Sequence, residues 1–450
     1  MRSKQGLLFL FVSIVLLLNG VLAQTPNPLA DSVRSEFLHA WNGYKQYAWG
    51  HDALKPLSKR PHDWYGQSLL LTPVDAFDTM VLMGLKKEAA EAKQLILDSL
   101  SFDRNIEVQT FEIVIRLLGG LISAYQLDGD PRFLSLAEDL GHRLLPIFDT
   151  PTGMPYRYVN LKTGALRDSI NNPAEIGTLM LEFGTLSKLT GNPEYYRKSK
   201  LGIVQVFNHR SRVGLVGETI NVVNGEWKRT SSHIGAYIDS YYEYLFKSWL
   251  LFGDADFKRM WDSSIDSVNK YLADTTYGGL WYGHAEMNSG KRSATRYGSL
   301  EAFMPALLAL SGDVKRAAAL QSSGEQMWNL YGIEPEELDY ASMKVTAKEY
   351  YLRPEIIESA FYLYRSTGDE HYRKMGEGFF RSLVKYCRTE AGFAYLKDVV
   401  TKQQADGMES FFFAETMKYF YLLFAPKEAF DLNAIVLTTE AHPIRKTWKE

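Results

Sequence analysis

Seven segments that are apolar on almost every side alternate along this chain with segments that have one polar face. A helix of the first kind must be covered on both sides, whereas an amphipathic helix can face water. The predicted inner helices are 72–85, 110–127, 173–189, 236–252, 299–310, 354–365 and 409–424. Helices such as 86–99, 131–146, 193–207, 254–271 and 371–386 are expected to pack outside them.

Glycine followed by Asp or Asn marks four junctions between these segments, at Gly129-Asp130, Gly191-Asn192, Gly253-Asp254 and Gly368-Asp369. Glycine ends a helix readily because it adopts a left-handed backbone, and a following Asp or Asn can cap the next helix. The pattern predicts an all-α fold, a closed toroid of seven helical hairpins. An open solenoid is the alternative, but unequal repeat lengths favour closure around a site. Small surface hairpins are predicted only at 214–222, 278–282 and 392–397.

The composition limits the partners of the chain. A net charge of -3 argues against nucleic acid or an anionic membrane surface. Hydrophobic residues make up 46% of the sequence, which is enough for a large core. The aromatic fraction of 13% is typical either of such a core or of a cleft whose rings stack on sugars. We expect a monomer with no nucleic-acid partner.

Residues 1–23 have the anatomy of a secretory signal peptide. Arg2 and Lys4 precede an apolar run from Leu7 to Leu18, and small residues up to Ala23 follow it. The run is shorter than the roughly 20 residues of a membrane span, so cleavage is favoured over an uncleaved anchor. Residues 24–450 are then expected to form one domain without a stable membrane span.

Cys387 is the only cysteine, and the sequence contains no Asn-X-Ser/Thr glycosylation site. An exported eukaryotic protein of this size usually has some disulfides or glycosylation sites. Both absences favour a bacterial protein that is secreted or periplasmic over one in the lumen of the endoplasmic reticulum or Golgi.

A segment near the C-terminus, 433–443, departs from the helical pattern. Four of the residues 435–439 are β-branched and favour an extended backbone, which Pro443 then ends. Taken alone, this is typical of a β tail that ties down the C-terminus. Its polar end, 439–442, also offers oxygen and nitrogen ligands, so the alternative is a β segment that plugs the ring of helices.

Every predicted inner helix carries at least one acid, although a buried carboxylate is costly unless it is paired or hydrogen-bonded. A single such acid is usually a helix cap or an ion pair, a role open to Asp75, Asp78 and Glu175 near helix starts. Acids on seven converging helices instead predict an acidic cavity suited to sugar hydroxyls, a cation or both. These acids are Asp75, Asp78, Glu112, Glu175, Glu182, Asp239, Glu243, Glu301, Glu355, Glu358 and Glu415.

Glycoside hydrolysis requires two carboxyl groups in different environments, one protonated and one ionised. The apolar neighbours of Glu112 favour its protonated form, whereas Arg116, one turn further on, could pair with it. Glu355 and Glu358 follow a proline that starts a helix, so the helix dipole is expected to favour their ionised forms. The residues alone predict a carboxylate-rich cavity, with a glycosidase as one interpretation.

At these residues the sequence resembles glycoside hydrolase family 47, the class I α-mannosidases. The resemblance runs in order through essentially the whole mature chain. The motifs that carry it are 49–57 (WGHDALKPL), 74–84 (VDAFDTMVLMG), 111–125 (FEIVIRLLGGLISAY), 181–183 (LEF), 239–247 (DSYYEYLFK), 352–359 (LRPEIIES), 409–419 (ESFFFAETMKY) and 439–443 (TEAHP).

The resemblance implies an (α/α)7 barrel, plugged by the C-terminal β segment, and a calcium-dependent exo-α-1,2-mannosidase that inverts the anomeric carbon of glycan mannose. By motif position, Glu112 would be the general acid, directly or through water, and Glu355 the base that activates the attacking water. Asp239 matches a third catalytic carboxylate. Thr439 would bind Ca²⁺ through its backbone oxygen and hydroxyl, with water and the mannose 2- and 3-hydroxyls as the other ligands. Residues that match the sugar subsite or hold calcium-bound waters are Arg116, Glu182, Arg353, Glu358, Phe411, Glu415 and Glu440.

Four positions depart from the family pattern. Ser299-Leu-Glu-Ala302 stands where the family has His-Leu and then Cys, so an active-site His and a disulfide cysteine are missing. Gly184 replaces a common Arg, and Tyr237 replaces an Arg that helps members in the endoplasmic reticulum choose the mannose branch. The resemblance therefore does not imply a branch specificity.

Two other functions remain compatible with the residues. A lectin-like protein would keep the mannose pocket without turnover, but binding alone does not need Glu112, Asp239 and Glu355 together. A helical-toroid glycosidase for another sugar or linkage would not need the 439–442 motif. We expect the catalytic domain, 24–450, to act on mannose-containing glycans.

Overall fold

A computed structural model describes residues 28–446. The predicted signal peptide lies outside the described residues. In chain order the helices are α1 (Pro28–Tyr47), α2 (Leu71–Leu82), α3 (Lys86–Ser99), α4 (Thr110–Ile113), α5 (Gly119–Asp128), α6 (Pro131–Leu144), α7 (Pro173–Gly177), α8 (Met180–Thr190), α9 (Pro193–Asn208), α10 (Asp239–Phe252), α11 (Ala255–Tyr271), α12 (Met304–Leu310), α13 (Val314–Asn329), α14 (Glu355–Thr367), α15 (Glu370–Cys387) and α16 (Met417–Phe424). Tighter 3-10 turns lie at Leu145–Phe148, Leu300–Phe303 and Lys427–Ala429, and wider π turns at Val114–Leu118 and Phe412–Thr416.

The inner layer consists of α2, α4 with α5, α7 with α8, α10, α12, α14 and α16, whose residues are almost all buried. Going along the chain, α2 contacts α5, α5 contacts α8, and α8 contacts α10. Helix α10 contacts the 3-10 turn before α12, α12 contacts α14, and α14 contacts α16. The π turn before α16 then contacts α2. The contacts between inner helices therefore run in a closed cycle, as the apolar segments predict.

The outer layer consists of α3, α6, α9, α11, α13 and α15, each packed on the inner helix that precedes it, and of α1, which packs on α16. The predicted junctions have the expected chemistry. Gly129, Gly191, Gly253 and Gly368 end inner helices with φ between 71° and 85°. The side chain of the next residue accepts a hydrogen bond from the first turn of the outer helix, as Asp130 does from the Arg132 N–H.

Three inner helices differ clearly from the prediction. Helix α10 begins at Asp239, three residues after the predicted start at 236. Helix α2 ends at Leu82, three residues before the predicted end at 85. The segment predicted as one helix, 173–189, is broken between α7 and α8, where Thr178 leaves the helical region and its hydroxyl bonds to the Ser240 hydroxyl at 2.8 Å. A side chain at Gly177 would lie 3.0 Å from the ring of Tyr241, so α7 and α10 approach closely here.

The prediction of three small hairpins was wrong in number, because the described residues contain 20 short strands in eight antiparallel sheets. Strands of two to four residues are too short to show an alternating pattern. They are β1 (Ala53–Lys55), β2 (Arg60–His62), β3 (Glu107–Gln109), β4 (Tyr158–Asn160), β5 (Leu166–Arg167), β6 (Ile170–Asn171), β7 (Thr219–Asn221), β8 (Trp227–Arg229), β9 (Ser231–Ser232), β10 (Ala273–Thr276), β11 (Gly279–Tyr282), β12 (His284–Glu286), β13 (Arg292–Ala294), β14 (Arg296–Gly298), β15 (Glu337–Asp339), β16 (Lys344–Ala347), β17 (Tyr395–Asp398), β18 (Gln403–Ala405), β19 (Ile435–Leu437) and β20 (Pro443–Arg445).

The C-terminal segment is a hairpin of β19 and β20 and not a single extended strand. Leu437 pairs with Pro443, and the Thr438 N–H donates to the His442 carbonyl at 3.0 Å across a tight turn. Ala441 adopts a left-handed φ of 56° in that turn. Strand β19 contacts α10, strand β20 contacts α5, and His442 is fully buried. The hairpin thus enters the inner layer with its turn foremost.

One stretch among the described residues, Thr110–Asp128, is long and apolar enough to cross a membrane. It is 72% buried, because it forms the α4 and α5 side of the inner layer. Its apolar character is therefore explained by packing between helices.

Candidate active site

A cavity of about 400 Å³ lies where the N-terminal turns of six inner helices meet the hairpin turn. Five of those turns bring polar or charged side chains to the wall, and the turn before α12 brings Leu300 and Phe303. Of the residues predicted for the site, the lining contains Glu112, Arg116, Asp239, Arg353, Glu355, Glu358, Phe411, Glu415, Thr439 and Glu440. The structure therefore brings together all but one of them.

The exception is Glu182, which was expected in the sugar subsite but is fully buried behind the lining. Its Oε1 accepts a 2.6 Å hydrogen bond from the Tyr244 hydroxyl. The same hydroxyl accepts a hydrogen bond from the Thr439 N–H at 3.3 Å. Burial raises the pKa of Glu182 to about 8 despite the bond from Tyr244. Glu182 thus reaches the cavity only through Tyr244, which holds the backbone of Thr439.

Arg116 is the main cation of the wall. Its guanidinium lies 2.9 Å from Glu112 Oε2 and also pairs with Glu440. The rings of Trp64 and Phe411 flank it, with centroids 5.1 and 5.8 Å from the guanidinium carbon. Arg116 lies in the π turn 114–118, and the second π turn carries Glu415. A π turn widens a helix locally and turns its side chains, and such turns occur frequently at functional sites.

Glu355 and Glu358 begin α14 at the opposite wall, but they do not have the environment that the helix dipole alone predicts. Burial raises the pKa of Glu355 to about 8, although the neighbouring charge of Arg353 opposes the rise. Burial also raises the pKa of Glu358, although Lys247 opposes it. Glu355 Oε2 is buried and has no hydrogen-bond partner among the described residues. In the protein alone, the loss of water on burial outweighs the helix dipole at these two carboxyl groups.

Asp239 begins α10, and its Oδ1 accepts a 2.7 Å hydrogen bond from the Ser240 N–H. Burial raises its pKa to about 7. Tyr237, two residues earlier, has a left-handed φ of 75° and leaves 41% of its surface exposed at the cavity. Backbone strain of this kind is typical of functional sites, where the surrounding structure enforces it.

Beneath the hairpin, a second set of acids is paired with cations. Asp78 contacts Lys418 at 2.7 Å and His442 Nδ1 at 2.6 Å, while Asp75 Oδ1 contacts His442 Nε2 at 3.2 Å. Burial alone would raise the pKa of Asp78, but Lys418 and His442 outweigh it and hold the pKa at about 2. Lys418 also donates to the Ala441 carbonyl at 2.7 Å. These pairs hold the hairpin in the ring, so Asp75 and Asp78 are structural acids.

The environment of Thr439 fits a hard cation. Thr439 lines the cavity beside Glu440, and Glu415 lies on the same lining. Burial raises the pKa of both acids well above the usual range, while Arg116 opposes the rise at both. The charge of Glu440 raises the pKa of Glu415 further. Ca²⁺ takes carboxylate and backbone oxygens in proteins and also keeps bound waters, which carboxylates can hold. The residues present thus suit a calcium ion at the hairpin turn.

Sequence reasoning missed several residues of the wall. Trp64 and Phe303 line the cavity, yet single aromatics in loops and turns carry no pattern. Glu175 also lines it but is paired with Arg157 at 2.8 Å, as the ion-pair alternative predicts.

Two of the residues that depart from the family pattern have their own local contacts. The Ser299 hydroxyl bonds to Glu336 at 3.1 Å, and a side chain at Gly184 would lie 2.6 Å from the ring of Phe252.

Comparison with protein families shows that this chain matches a known family. Residues 36–446 match the model of "Glycosyl hydrolase family 47". The curated protein "Alpha-mannosidase I MNS5" of Arabidopsis thaliana is 39% identical, over 94% of this chain and 78% of that protein. "Mannosyl-oligosaccharide 1,2-alpha-mannosidase MNS1" of the same plant is 36% identical, over 92% and 78%.

Solved structures agree with the fold. An α-1,2-mannosidase from Trichoderma reesei superposes with a TM-score of 0.87 at 30% identity, covering 94% of this chain and 99% of that one. Cellobiose 2-epimerase from Bacillus thermoamylovorans B4167 has a TM-score of 0.58 at 13% identity, covering 89% and 99%, and shares the helical fold alone. The mannosidases named here come from a plant and a fungus, so the predicted bacterial origin has no support from them.

Proposed function

The chain belongs to glycosyl hydrolase family 47 and is an α-1,2-mannosidase of that family, and on this premise we propose how it trims mannose from oligosaccharides. We propose a single displacement in an (α/α)7 barrel formed by residues 24–450, in which the C-terminal hairpin supplies a calcium site. The observation that carries the proposal is the convergence of Glu112, Asp239, Glu355 and Thr439 on one cavity.

Glu112 is the proposed general acid. A proton passes from it, directly or through a bridging water, to the glycosidic oxygen as the bond from this oxygen to C1 breaks. The Arg116 guanidinium lies 2.9 Å from Glu112 Oε2 and holds the carboxyl at the cavity wall. The rings of Trp64 and Phe411 beside Arg116 offer faces on which a sugar can stack.

Glu355 is the proposed base. It takes a proton from the water whose oxygen attacks C1 on the opposite face, which gives β-mannose as the first product. This geometry predicts that the acid and base carboxyl groups lie roughly 6.5–9.5 Å apart, with room for the water. Arg353, held by Glu336, lies next to the base and favours its ionised form. Asp239 is the third catalytic carboxylate.

Calcium is the proposed cofactor, held by the backbone oxygen and hydroxyl of Thr439. When bound, the ion supplies positive charge that favours ionised carboxylates and holds sugar hydroxyl oxygens. Glu358, Glu415 and Glu440 would hold the waters bound to the ion, and Tyr244 fixes the backbone of Thr439. Glu182 does not contact the ion and acts only by holding Tyr244 through their hydrogen bond.

We also propose that the protein enters the secretory pathway through residues 1–23 and is secreted or retained in its lumen. The apolar stretch Thr110–Asp128 is packed inside the fold and is not the anchor. One relative bears the name "ER degradation-enhancing alpha-mannosidase-like protein 2" (Mus musculus, 36% identical), which makes a substrate glycan on a protein a reasonable choice for assays.

The decisive experiment is an assay on α-1,2-, α-1,3- and α-1,6-linked mannobioses, with calcium and after dialysis against EDTA. We expect mannose only from the α-1,2 compound, loss of release in EDTA and recovery on adding Ca²⁺. NMR of the first-formed anomer should show β-mannose. Turnover that persists in chelator would refute the calcium site, and α-mannose would refute the single displacement. Tight binding without hydrolysis would establish the lectin-like alternative.

A further inference from the structure

Behind the cavity wall lies a second cluster of titratable groups, which the proposed reaction does not use. It consists of Glu218, His233, His284 and Glu301, each at most 9% exposed. The first three offer ligand atoms within 4.8 Å of one another. The rings of the two histidines, however, are stacked, with centroids 4.2 Å apart and planes 22° apart. A histidine binds metal in its ring plane, so two nearly parallel rings cannot both point at one ion. The cluster therefore has another role.

The cluster holds Gly235, which begins the wall segment 235–239. The Gly235 N–H donates to His233 Nδ1 at 3.2 Å. On its other side Gly235 is covered by the Glu301 carboxyl, because a side chain at this position would begin 2.3 Å from Glu301 Oε1. Only glycine allows so close an approach. Gly235 is thus held between a histidine and a carboxyl.

The position of Gly235 sets the position of Asp239. The Gly235 carbonyl accepts hydrogen bonds from the N–H groups of Ile238 and Asp239, each at 3.0 Å. Between them, Tyr237 keeps its left-handed φ of 75° and its carbonyl accepts from the Ala174 N–H at 2.9 Å. A strained turn of this kind persists only where its ends are fixed. A shift of Gly235 would therefore move both Asp239 and Tyr237.

Glu301 is itself fixed from two sides. Its Oε2 accepts a hydrogen bond from the Gly298 N–H at 3.1 Å, and its Oε1 lies 4.0 Å from His284 Nε2. Neither ring nitrogen of His284 has a hydrogen-bond partner among the described residues. Burial lowers the pKa of His284 to about 3, and the neighbouring His233 lowers it further. His284 is thus a neutral ring that backs the carboxyl of Glu301.

We propose that Glu301 is a positioning residue of the reaction, which holds Asp239 and Tyr237 at the cavity wall through its contact with Gly235. The inference rests on the proposed function in so far as Asp239 is catalytic. His233 supports the same contact from the other side of Gly235. The ring of His233 is held in turn by Glu218, whose Oε1 lies 3.2 Å from His233 Nε2 and which also pairs with Arg229.

Glu301 also has an electrostatic effect on Asp239, which a purely structural residue would lack. Glu301 faces Asp239, Glu337, His284 and Tyr297. Asp239 in turn also faces Glu243 and Arg353. Burial raises the pKa of Glu301 to about 7, and the charges of Glu337 and Asp239 raise it further. Since such coupling is mutual, an ionised Glu301 favours the protonated form of Asp239.

The test compares Glu301→Ala and Glu301→Gln with the wild type and with Glu226→Gln, an exposed glutamate paired with Lys228. For Glu301→Ala we expect kcat to fall about 10- to 100-fold with a smaller change in KM. Amide hydrogen exchange at Ile238 and Asp239 should become faster.

For Glu301→Gln we expect kcat within about threefold of wild type, because the amide keeps the shape of the carboxyl. The acidic limb of kcat/KM should move roughly 0.5 unit to lower pH, since loss of the charge lowers the pKa of Asp239. Glu226→Gln should match the wild type.

Gly235→Ala provides an independent test of the same contact. The new methyl group should displace the Glu301 carboxyl and speed exchange at 238 and 239. The double variant Gly235→Ala, Glu301→Ala should exchange more slowly than Gly235→Ala, because removal of the carboxyl makes room for the methyl group. Additive effects of the two substitutions would refute the contact.

Three further outcomes would overturn the inference. The first is amide hydrogen exchange at the wild-type rate in Glu301→Ala, and the second is an unshifted pH profile of kcat/KM in Glu301→Gln. The third is stabilisation of the protein by Zn²⁺ that His284→Ala abolishes, because this result would make the cluster a metal site. Hydrogen exchange does not depend on turnover. If the wild type does not cleave the α-1,2 mannobiose, the proposed function fails, and exchange still decides whether Glu301 holds the segment.

Discussion

Two groups of buried carboxylates on the inner helices face different surroundings. Beneath the hairpin, Asp78 contacts Lys418 and His442, and its pKa is held at about 2. At the cavity wall, burial raises the pKa of Asp239 to about 7 and that of Glu355 to about 8. Both groups come from the same feature, an acid on an apolar helix.

The difference shows how the surroundings of the proposed catalytic acids depart from those of the structural acids. A buried acid with a full complement of cations is ionised and rigid, and it contributes to stability only as part of its pair. A buried acid with too few cations holds or releases a proton near neutral pH, as acid–base catalysis requires. The cations that decide between the two come from far along the chain, because Asp78 and His442 are 364 residues apart.

The largest expected effect is on catalysis at the cavity wall. Glu355→Gln should lower kcat by about 10³-fold, or about 4 kcal/mol, because the amide cannot accept the proton of the attacking water. Thermal stability should stay the same or rise, since the substitution removes an acid that burial destabilises. Steady-state kinetics and calorimetry measure both quantities. A wild-type rate would remove Glu355 from the role of base.

The matching effect beneath the hairpin is on stability. Asp78→Asn should lower the free energy of unfolding by about 3 kcal/mol, because Lys418 and His442 lose their common counter-charge while buried. Urea denaturation measures the change. Asp262→Asn, which breaks the exposed pair with Lys258, should cost less than about 1 kcal/mol. Equal costs in the two variants would show that the hairpin does not depend on this pair.

A third effect, intermediate in size, tests the turn where the two regions meet. Thr439→Ala should weaken calcium binding about 10- to 100-fold, since it removes one of the proposed ligands. Calorimetric titration of the EDTA-dialysed protein with Ca²⁺ measures the affinity. The neighbouring Thr438→Ala is the control, because the Thr438 hydroxyl accepts from the His442 N–H at 3.1 Å and does not line the cavity. It should lower stability and leave the intrinsic affinity for calcium unchanged, so equal affinities in the two variants would contradict the assignment.

The smallest expected effect is on the pH dependence of stability in chelator. The pKa of Glu182 in the folded protein, about 8, lies above its ordinary value of 4.5. The native state therefore keeps a proton that the unfolded state releases, and stability falls as the pH rises through this range. The folded pKa of His442, about 9 against an ordinary 6.5, acts in the same direction, and its contribution is lost as the pH rises through 9.

Glu182→Gln should remove part of this slope, so that stability falls less between pH 5 and 8 than in the wild type. Melting temperatures across that range, with the exposed Glu138→Gln as the reference, measure the difference. An unchanged slope would mean that Glu182 keeps its charge in the folded protein.

The inner and outer helices could be predicted from the sequence because each is long enough for its pattern of apolar residues to be read. The outer helix 86–99 agrees with α3 at both ends, since the polar face and the flanking residues mark it. The break at Thr178 could not be predicted, because it depends on the Ser240 hydroxyl, 62 residues away. The short strands were missed for the same reason, since their partners and not their own residues define them.

The wall acids could be proposed from the sequence because carboxylates on apolar helices require an explanation. The shifts of their pKa values could not be predicted from the sequence. The helix dipole at Glu355 is a local property, whereas its burial is created by the whole ring. The displacement of Glu182 behind Tyr244 likewise depends on the packing of α8 against α10. Glu301 was recognised as one of several inner acids, but its contact with Gly235 appears only in three dimensions.

The hairpin at 435–445 has a consequence for the order of events during synthesis. The ribosome makes all seven inner helices before Thr439, so the helices can begin to associate while the proposed metal-binding turn is still missing. Contacts that span more than 300 residues, such as that between Asp78 and His442, form late because a long loop must close first. The nascent chain is therefore expected to have no turnover until the hairpin has docked, and the onset of activity in a refolding experiment should coincide with burial of His442.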